Sequence, residues 1–309
     1  MGKIATRALV IGSVNMDLIV RVDALPRPGE TCTGGDVTKA PGGKGANQAS
    51  AIARLGARTC FCGAVGGDDF GRTLLRDLES DQVCTDGVRT IQDAATGVAF
   101  ILLQKDGENS IIVAPGANGL LRVEDVEKAV SGSPPFDVVL VQLEIPLDTV
   151  EEAARLAKRM DALCVLDAGP PRPISSEALK LFDVVSPNET ETEHLVGIRP
   201  TDEASSAEAA KALRGRGCGT VVLKLGALGA YFSNGKEEGL VPAYPISAVD
   251  TTAAGDAFTA ALSLRLAQGG GLREAVSYGA AAGACAAMVL GARPSMPTRD
   301  RVETFLSRR

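Results

Sequence analysis

Short β-branched runs alternate with helical patterns along most of this 309-residue chain. The runs that predict buried strands are RALVIGS, RTCFCGAVG, FDVVLVQLE, ALCVLDAG, FDVVSPN and GTVVLKLG. The patterns that predict helices are GANQASAIARLG, LDTVEEAARLAKRM, SAEAAKALRGRG and two segments after Gly255. Alternation on this scale predicts an α/β fold, with a three-layer α/β/α core in which helices cover both faces of a central, mostly parallel sheet. Ligands of such sheets bind beyond the carboxyl ends of the strands.

Two segments, residues 15–40 and 96–114, interrupt this alternation. The first joins strand-like pieces with Pro and Gly, and the second predicts a hairpin around KDGEN. Together they predict a small β-sheet inserted in the α/β core as a lid, within a single domain that spans residues 1–309. The alternative is an extension of one edge of the central sheet. The apolar residues of VAFILL and SIIV need a cover, and a second copy of the same sheet would supply it, which predicts a homodimer.

Composition excludes several classes of function. The net charge is −6 and there is no basic cluster, which argues against nucleic acid or an acidic membrane surface as a partner. The N-terminus lacks the apolar core of a signal peptide, so we expect a soluble, cytoplasmic protein. The seven cysteines include no C-x-x-C pair. Cys60 and Cys62 could share a sheet face and hold a metal, but reduced buried thiols are the favoured interpretation.

A glycine-rich turn, APGGKGANQA, spans residues 40–49. It lacks the pattern of a phosphate-binding loop, because Gly45 stands where Ser or Thr would follow the lysine and Gln48 replaces the last glycine of G-x-G-x-x-G. Glycines still let a backbone approach a ligand closely, and Lys44 and Asn47 add a charge and an amide at a helix start. The alternative is a tight turn before a capped helix.

A second turn of small residues, DTTAAGDAFTA, spans residues 250–260. A helix that begins near Ala254 leaves its first N–H groups unpaired, and these groups together with the helix dipole form an anion site. Asp256, beside that site, could take a proton from a hydroxyl that attacks phosphorus. The alternative is helix capping, because acids favour the first turn of a helix. On this segment alone, capping is the favoured interpretation.

Polar residues also follow several predicted strands. Asn15 and Asp17 lie on one side of an extended chain, as would suit neighbouring sugar hydroxyls. Glu144 ends one strand, and the acids of SPNETE end another, where they could hold hydrated Mg²⁺. The one histidine, His194, is predicted to be a plain helical residue, which excludes a catalytic triad or a histidine–metal site as the main mechanism.

Taken together, these residues resemble the phosphofructokinase-B-type carbohydrate and nucleoside kinases, and among them the ribokinases. The resemblance runs from IGSVNMD to GARPSMP, nearly the whole chain, with GGKGANQA and DTTAAGDAF as the two signature regions and PNETE as the magnesium motif between them. It implies ATP-dependent phosphorylation of D-ribose on its 5-hydroxyl, with Mg²⁺ and K⁺, by a homodimer joined through its lids.

The resemblance also implies a role for each matching residue. Asp256 would be the base that activates the sugar hydroxyl. The anion hole would be formed by Ala253, Ala254 and Gly255. The sugar would be held by Asn15, Asp17, Gly43, Lys44, Asn47 and Glu144, together with Asp256. The nucleotide would be held by Asn188, Lys224, Leu225, Gly226, Ala227, Leu228, Gly229, Gly255 and Ala280. Glu191 would position Mg²⁺ through water. The potassium site would be formed by Asp250, Thr252, Ala286, Val289, Gly291 and Ser295.

Three features depart from the ribokinase pattern or qualify it. Asp167 and Ala168 stand where many ribokinases carry Asn and Pro, and Ala280 stands where a His or Asn often contacts the adenine region. The hole begins with Ala253 rather than the Gly common in the wider family, a choice familiar in ribokinases. Two alternatives stay open: a kinase for another sugar or a nucleoside (deoxyribose, tagatose, adenosine), and a catalytically silent sugar-binding regulator.

Overall fold

The computed structural model describes residues 5–105 and 109–308. The strands are β1 (Arg7–Ile11), β2 (Asn15–Val22), β3 (Thr38–Gly42), β4 (Arg58–Gly66), β5 (Cys84–Ile91), β6 (Gly97–Gln104), β7 (Asn109–Ala114), β8 (Val138–Gln142), β9 (Leu163–Asp167), β10 (Val184–Ser186), β11 (Thr220–Lys224), β12 (Ala230–Ser233) and β13 (Glu238–Val241). The helices are α1 (Lys44–Arg54), α2 (Asp69–Ser80), α3 (Val123–Val130), α4 (Leu147–Arg159), α5 (Ser176–Leu179), α6 (Glu189–Val196), α7 (Glu203–Gly215), α8 (Ala254–Ala267), α9 (Leu272–Ala287), α10 (Ala292–Ser295) and α11 (Arg299–Ser307). Two short 3-10 helices span Gly116–Leu120 and Gly226–Leu228.

The central sheet has nine strands in the described part of the chain, in the order β13-β12-β11-β10-β9-β8-β1-β4-β5. The strands from β11 to β5 are parallel, and β12 and β13 continue the sheet antiparallel at one edge. All six strand runs predicted from the sequence lie in the parallel part. The prediction of a central, mostly parallel sheet is therefore confirmed.

Helices pack on both faces of this sheet. In β1, Leu9 and Ile11 join a buried cluster with α3, α4 and α7, whereas Ala8 and Val10 join a second cluster with α1, α2, α8 and α9. Successive strand residues point to opposite faces, so a strand buried on both sides is apolar throughout. This explains the continuous apolar runs in the sequence and confirms the three-layer prediction.

A second, smaller sheet is separate from the first, with the strand order β3-β2-β6-β7. The alternative of an edge extension is therefore wrong. The centre of this sheet is the parallel pair β2–β6, with β3 and β7 antiparallel on either side. Phe100 and Ile112 face each other across β6 and β7 and are 45% and 66% exposed. Most of the KDGEN turn, residues 106–108, lies outside the described residues.

Helices α8 and α9 approach each other through small residues. A Cβ atom added at Gly279 would lie 3.0 Å from the carbonyl oxygen of Phe258, and one added at Gly283 would lie 3.0 Å from that of Ala254. The Ala- and Gly-rich stretch around α9 is thus an internal packing element. Over the described ranges, no helix combines the length and apolar character needed to span a membrane.

The seven cysteines are all free thiols. Cys62 is buried in the cluster beneath α3 and α4, and Cys60 packs against the same cluster, so the two do share a sheet face. The described residues contain no group of three or more acidic, histidine or cysteine side chains that could hold a metal ion. The burial of Cys62 and the packing of Cys60 against the same cluster favour their interpretation as packing thiols.

Candidate active site

The polar residues of the glycine-rich motifs meet at the carboxyl edge of the central sheet. The loop after β1 leads into β2, and the loop after β8 carries Glu144. Asp167 and Lys224 end β9 and β11, and Asn188 follows β10. The first turns of α1 and α8 lie at the same edge, linked by hydrogen bonds between their side chains. This is the edge at which parallel α/β sheets bind their ligands.

Asp256 lies in the first turn of α8, and its side chain is buried. Its carboxylate accepts hydrogen bonds from Asn47 Nδ2 at 2.9 Å and from Gln48 Nε2 at 3.1 Å. Lys44 Nζ lies 3.9 Å from Asp256 Oδ1. All three partners belong to the first two turns of α1, so the structure joins the two glycine-rich motifs. The donors that hold the Asp256 carboxylate belong to α1. A capping carboxylate would instead accept hydrogen bonds from the backbone of its own helix.

The electrostatics of these groups favour a base near neutral pH. Burial raises the pKa of Asp256 from 3.8 to about 6; the Lys44 ammonium opposes this effect and Asp167 adds to it. Burial also raises the pKa of Asp17, to about 7, with a further contribution from Glu144. Burial lowers the pKa of Lys44, but the carboxylates of Asp167 and Asp256 outweigh burial and raise it. At pH 7 Asp256 is therefore ionised beside an ammonium group, close to the optimum for proton transfer.

Asn15 and Asp17 occupy the start of β2 and are both buried. Asn15 Oδ1 accepts a hydrogen bond of 2.7 Å from Asn118 Nδ2, and Asn118 Oδ1 accepts one of 3.0 Å from the backbone N–H of Val14. The carboxylate of Asp17 lies directly against Gly42, where an added Cβ would be 2.2 Å from Asp17 Oδ2. Neighbouring amides and backbone therefore fix both side chains.

Glu144 approaches the same region from the loop after β8. Its Oε2 accepts hydrogen bonds from Ser13 Oγ and from the backbone N–H of Lys44 at 3.4 Å. The side chain is only partly buried, so it keeps an exposed portion for a ligand. Glu144 thereby connects the first loop of the chain to the start of α1.

Gly43 connects β3 to α1 in a conformation that other residues rarely adopt. Its φ is +89°, in the left-handed region. A Cβ at this position would lie 2.7 Å from both the backbone nitrogen of Asn15 and the Cα of Val14. Two backbone segments therefore touch here, and only glycine permits the contact.

The residues predicted to form the anion hole lie at the start of α8. Ala253 is buried as the N-cap residue, and no side chain caps the helix. The N–H of Ala254 already donates to the carbonyl of Thr251 at 3.1 Å. Across the described residues, the N–H groups of Gly255 and Asp256 have no acceptor. These two donors of α8, like the N–H of Ala253 just before it, are free to meet an anion.

The PNETE motif forms a capping box at the start of α6. Asn188 Oδ1 accepts from the N–H of Glu191 at 2.8 Å, and Glu191 Oε2 accepts from the N–H of Asn188 at 2.7 Å. The other carboxylate oxygen of Glu191 faces Gly169, beside the side chain of Lys44. The Glu191 carboxylate therefore has one oxygen that accepts no backbone hydrogen bond. This suits Mg²⁺, which usually keeps several waters and needs only one or two protein carboxylates besides phosphate.

The loop KLGALG, residues 224–229, begins with buried residues and continues as an exposed turn. Lys224 points into the protein, with its Nζ 2.7 Å from Asp167 Oδ1, and Leu225 is buried. The short 3-10 helix Gly226–Leu228 is exposed, with Gly229 partly buried behind it, and can present backbone groups to a nucleotide. Ala280 is half-buried on α9 and offers only a methyl group. This position therefore offers no polar side chain to a ligand.

Two of the predicted potassium residues, Thr252 and Gly291, contact the carboxylate of Asp250. Its Oδ1 accepts from the N–H and Oγ1 of Thr252 at 3.0 and 2.5 Å, and its Oδ2 accepts from the N–H of Gly291 at 2.9 Å. The carbonyl of Ala287 accepts hydrogen bonds from the N–H groups of residues 249 and 250, which brings the end of α9 close to Asp250. Ala286 and Val289 flank this contact along the chain. Ser295 instead donates its hydroxyl to the carbonyl of residue 292, within α10.

Sequence reasoning missed the residues that connect these groups. Gln48 links Asp256 to Asp167, and Gln142 donates to Gln48 Oε1 at 2.6 Å. Asn118 supports Asn15 from a position 103 residues away. Such polar residues carry no local signal of their role, although an uninterrupted apolar strand that ends in Gln142 or Asp167 is one available hint.

Comparison with known proteins gives a consistent result. The family model for pfkB family carbohydrate kinases matches residues 5–299. A ribokinase of Haemophilus influenzae is 39% identical over 297 residues, covering 96% of this chain and 97% of its own. A deoxyribokinase of Salmonella typhi is 32% identical, with 96% and 98% covered. The structure of an Arabidopsis thaliana ribokinase complexed with ribose and ATP superposes with a TM-score of 0.89, at 35% identity and 98% and 99% coverage.

Proposed function

The chain belongs to the pfkB family of carbohydrate kinases, and we propose that it transfers the γ-phosphoryl group of ATP to the 5-hydroxyl of D-ribose. The observation that carries this proposal is the buried Asp256 carboxylate, held by α1 at the start of α8 beside two unpaired backbone N–H groups. Similarity to a ribokinase with ribose and ATP bound supports the choice of substrates.

The geometry assigns a task to each part of the site. Asp256 takes the proton of the attacking hydroxyl, since its raised pKa places it near the pH of turnover. The N–H groups of Gly255 and Asp256 receive the charge on the transferred phosphoryl group, and Lys44 adds a positive charge beside them. Asn15, Asp17 and Glu144 orient the sugar.

Coupled turnover of ATP over a panel of sugars and nucleosides tests the proposal. We expect D-ribose to give the highest kcat/KM, with deoxyribose the most informative rival because a deoxyribokinase is among the relatives. A nucleoside or another sugar that turns over ten times better, a difference of about 1.4 kcal/mol in transition-state binding, would refute ribose as the substrate. No turnover with any acceptor would support a silent regulator.

Two metal ions complete the proposal. Glu191 would hold Mg²⁺ through water beside the phosphates, where the ion supplies charge neutralisation. The loops around Asp250 and Gly291 would hold K⁺ and shape the start of α8. We expect turnover in potassium-only buffer to exceed that in sodium-only buffer several-fold, because the carbonyls select for ion size. Equal rates in the two buffers would refute the potassium site, and Asp250 would then only stabilise the turn that contains it.

The small sheet is proposed as the lid of the site and as the surface that joins two subunits. Phe100 and Ile112 form an exposed apolar pair that one small sheet leaves uncovered. We expect light scattering at micromolar concentration to give twice the chain mass of 31.8 kDa. Ile112→Glu should produce monomers, whereas Leu120→Glu, at an exposed apolar residue outside the small sheet, should not. A parent protein with the mass of one chain would refute this pairing.

A further inference from the structure

A buried ion pair lies behind the proposed anion site. Lys224 Nζ is 2.7 Å from Asp167 Oδ1, and the two side chains are 11% and 0% exposed. They come from β11 and β9, the strands on either side of β10. Charges this deeply buried are costly unless each is compensated, and here each charge has the other as a direct partner.

The pair is connected to the proposed base through one amide. Gln48 Nε2 donates to Asp167 Oδ2 at 2.6 Å and to Asp256 Oδ1 at 3.1 Å. Gln48 Oε1 accepts from Gln142 Nε2 at 2.6 Å, which fixes the orientation of the Gln48 amide. The donor group of Gln48 therefore bridges two carboxylates.

The cation of the pair lies against the first turn of α8. Lys224 Nζ is 3.8 Å from the point that a Cβ on Gly255 would occupy. It also lies 3.4 Å from Thr259 Oγ1, which in turn donates to the carbonyl of Gly255 at 3.0 Å. The ammonium thus sits beneath the backbone that we propose as the anion hole, while the carboxylate faces Gln48.

We propose that Asp167 and Lys224 act together as a positioning pair, in which Asp167 orients Gln48 on the Asp256 carboxylate and Lys224 compensates Asp167 so that Asp256 stays ionised. The inference rests on the proposed function, since it assigns a task within the same reaction. Without Lys224, the carboxylates of Asp167 and Asp256 would share the Gln48 amide and the single charge of Lys44, which favours protonation of Asp256.

The other charged groups around Asp256 do not replace this pair. Lys44 on α1 is the one other cation near it in the described part of the chain, and it also faces Asp167, Glu144 and Glu191. Asp17 on β2 adds a further negative charge. Asp167 itself raises the pKa of Asp256, so its compensation matters for the charge of the base.

The test is the pH profile of kcat for the parent, Lys224→Met, Asp167→Asn and the double variant, each measured with the best acceptor from the panel. Lys224→Met should move the acidic limb of the pH profile up by about one pH unit, because Asp167 loses the neighbouring Lys224 charge. This shift should lower kcat about tenfold on the acidic side of the limb, near pH 5, and about twofold at pH 7. Asp167→Asn should move the limb down, because one negative charge is lost. The double variant should return towards the parent limb. KM for both substrates should change less than kcat.

Asp81→Asn is the matched control, because it removes the carboxylate of another partly buried pair, with Arg54, outside the site. The acidic limb of its pH profile of kcat should coincide with that of the parent. The double variant keeps the test decisive where a single variant folds poorly, because a neutral pair leaves no buried charge. Limbs unmoved in all three variants, with only melting temperatures lowered, would overturn the inference. A parent with no turnover of ribose but with turnover of another sugar would overturn the substrate assignment alone.

Discussion

Replacement of Asp256 by Asn is expected to lower kcat at least about a hundredfold, because a positioned base contributes about 10²–10⁴-fold to the rate. The amide keeps the size of the side chain but cannot accept the proton of the sugar hydroxyl. The parent should lose activity as the pH falls through about 6, where the carboxylate becomes protonated. The variant should lack this limb. Steady-state rates between pH 5 and 8 measure both effects.

The same variant separates catalysis from helix capping. A first-turn acid contributes only about 0.3–1 kcal/mol through the helix dipole, so the melting temperature should change little. Nucleotide binding, measured by calorimetry, should also be preserved. Asp148→Asn, at a first-turn acid of α4, is the control and should keep the parent kcat. A kcat within threefold of the parent for Asp256→Asn would end its assignment as the base.

Replacement of Gly43 by Ala is expected to damage both stability and activity. A φ of +89° costs a residue with a Cβ about 1–2 kcal/mol, and the Cβ would also press on the backbone of Asn15 and Val14 at 2.7 Å. The combined loss should reach at least about 3 kcal/mol of unfolding free energy. Since Asn15 belongs to the proposed sugar site, kcat/KM for ribose should fall roughly tenfold to a hundredfold.

Gly29→Ala isolates the two causes. Gly29 has a φ of +86° with no atom within 4 Å of an added Cβ, so this variant carries the backbone cost alone. Its unfolding free energy should fall by about 1–2 kcal/mol, with kcat/KM unchanged. Denaturant unfolding and ribose kinetics on both variants give the comparison. Equal losses at the two positions would show that the contact between Gly43 and Asn15 is unimportant.

The sequence predicts the centre of the fold better than its edges. Strands buried on both faces must be continuously apolar, so β1 and β8 are conspicuous in the sequence. In contrast, β5 (CTDGVRTI) at one edge mixes polar residues with Gly, and β12 and β13 are short antiparallel strands at the other edge. Such strands are defined by the neighbours they pair with, which a local pattern does not contain.

The site divides along a similar line. Lys44 and Asp256 lie in motifs whose glycines and small residues indicate a ligand-binding site. The structure places these two side chains next to each other. Lys224 was predicted as part of a nucleotide loop, yet its side chain turns inward to Asp167. The contact between Gln48 and Asp256 joins residues 208 positions apart. Contacts at this separation depend on the tertiary fold, so no local spacing predicts them.

The close approach of α9 to α8 limits which substitutions the chain can accumulate over evolutionary time. A Cβ atom added at Gly283 would lie 3.0 Å from the carbonyl oxygen of Ala254, the residue next to Gly255. A larger side chain there must shift either α9 or the first turn of α8, because the neighbouring atom is backbone. Selection for phosphoryl transfer therefore acts on a helix that carries neither the proposed base nor the proposed anion hole. Neutral drift in α9 is confined to side chains that face away from α8, and the two helices must diverge together.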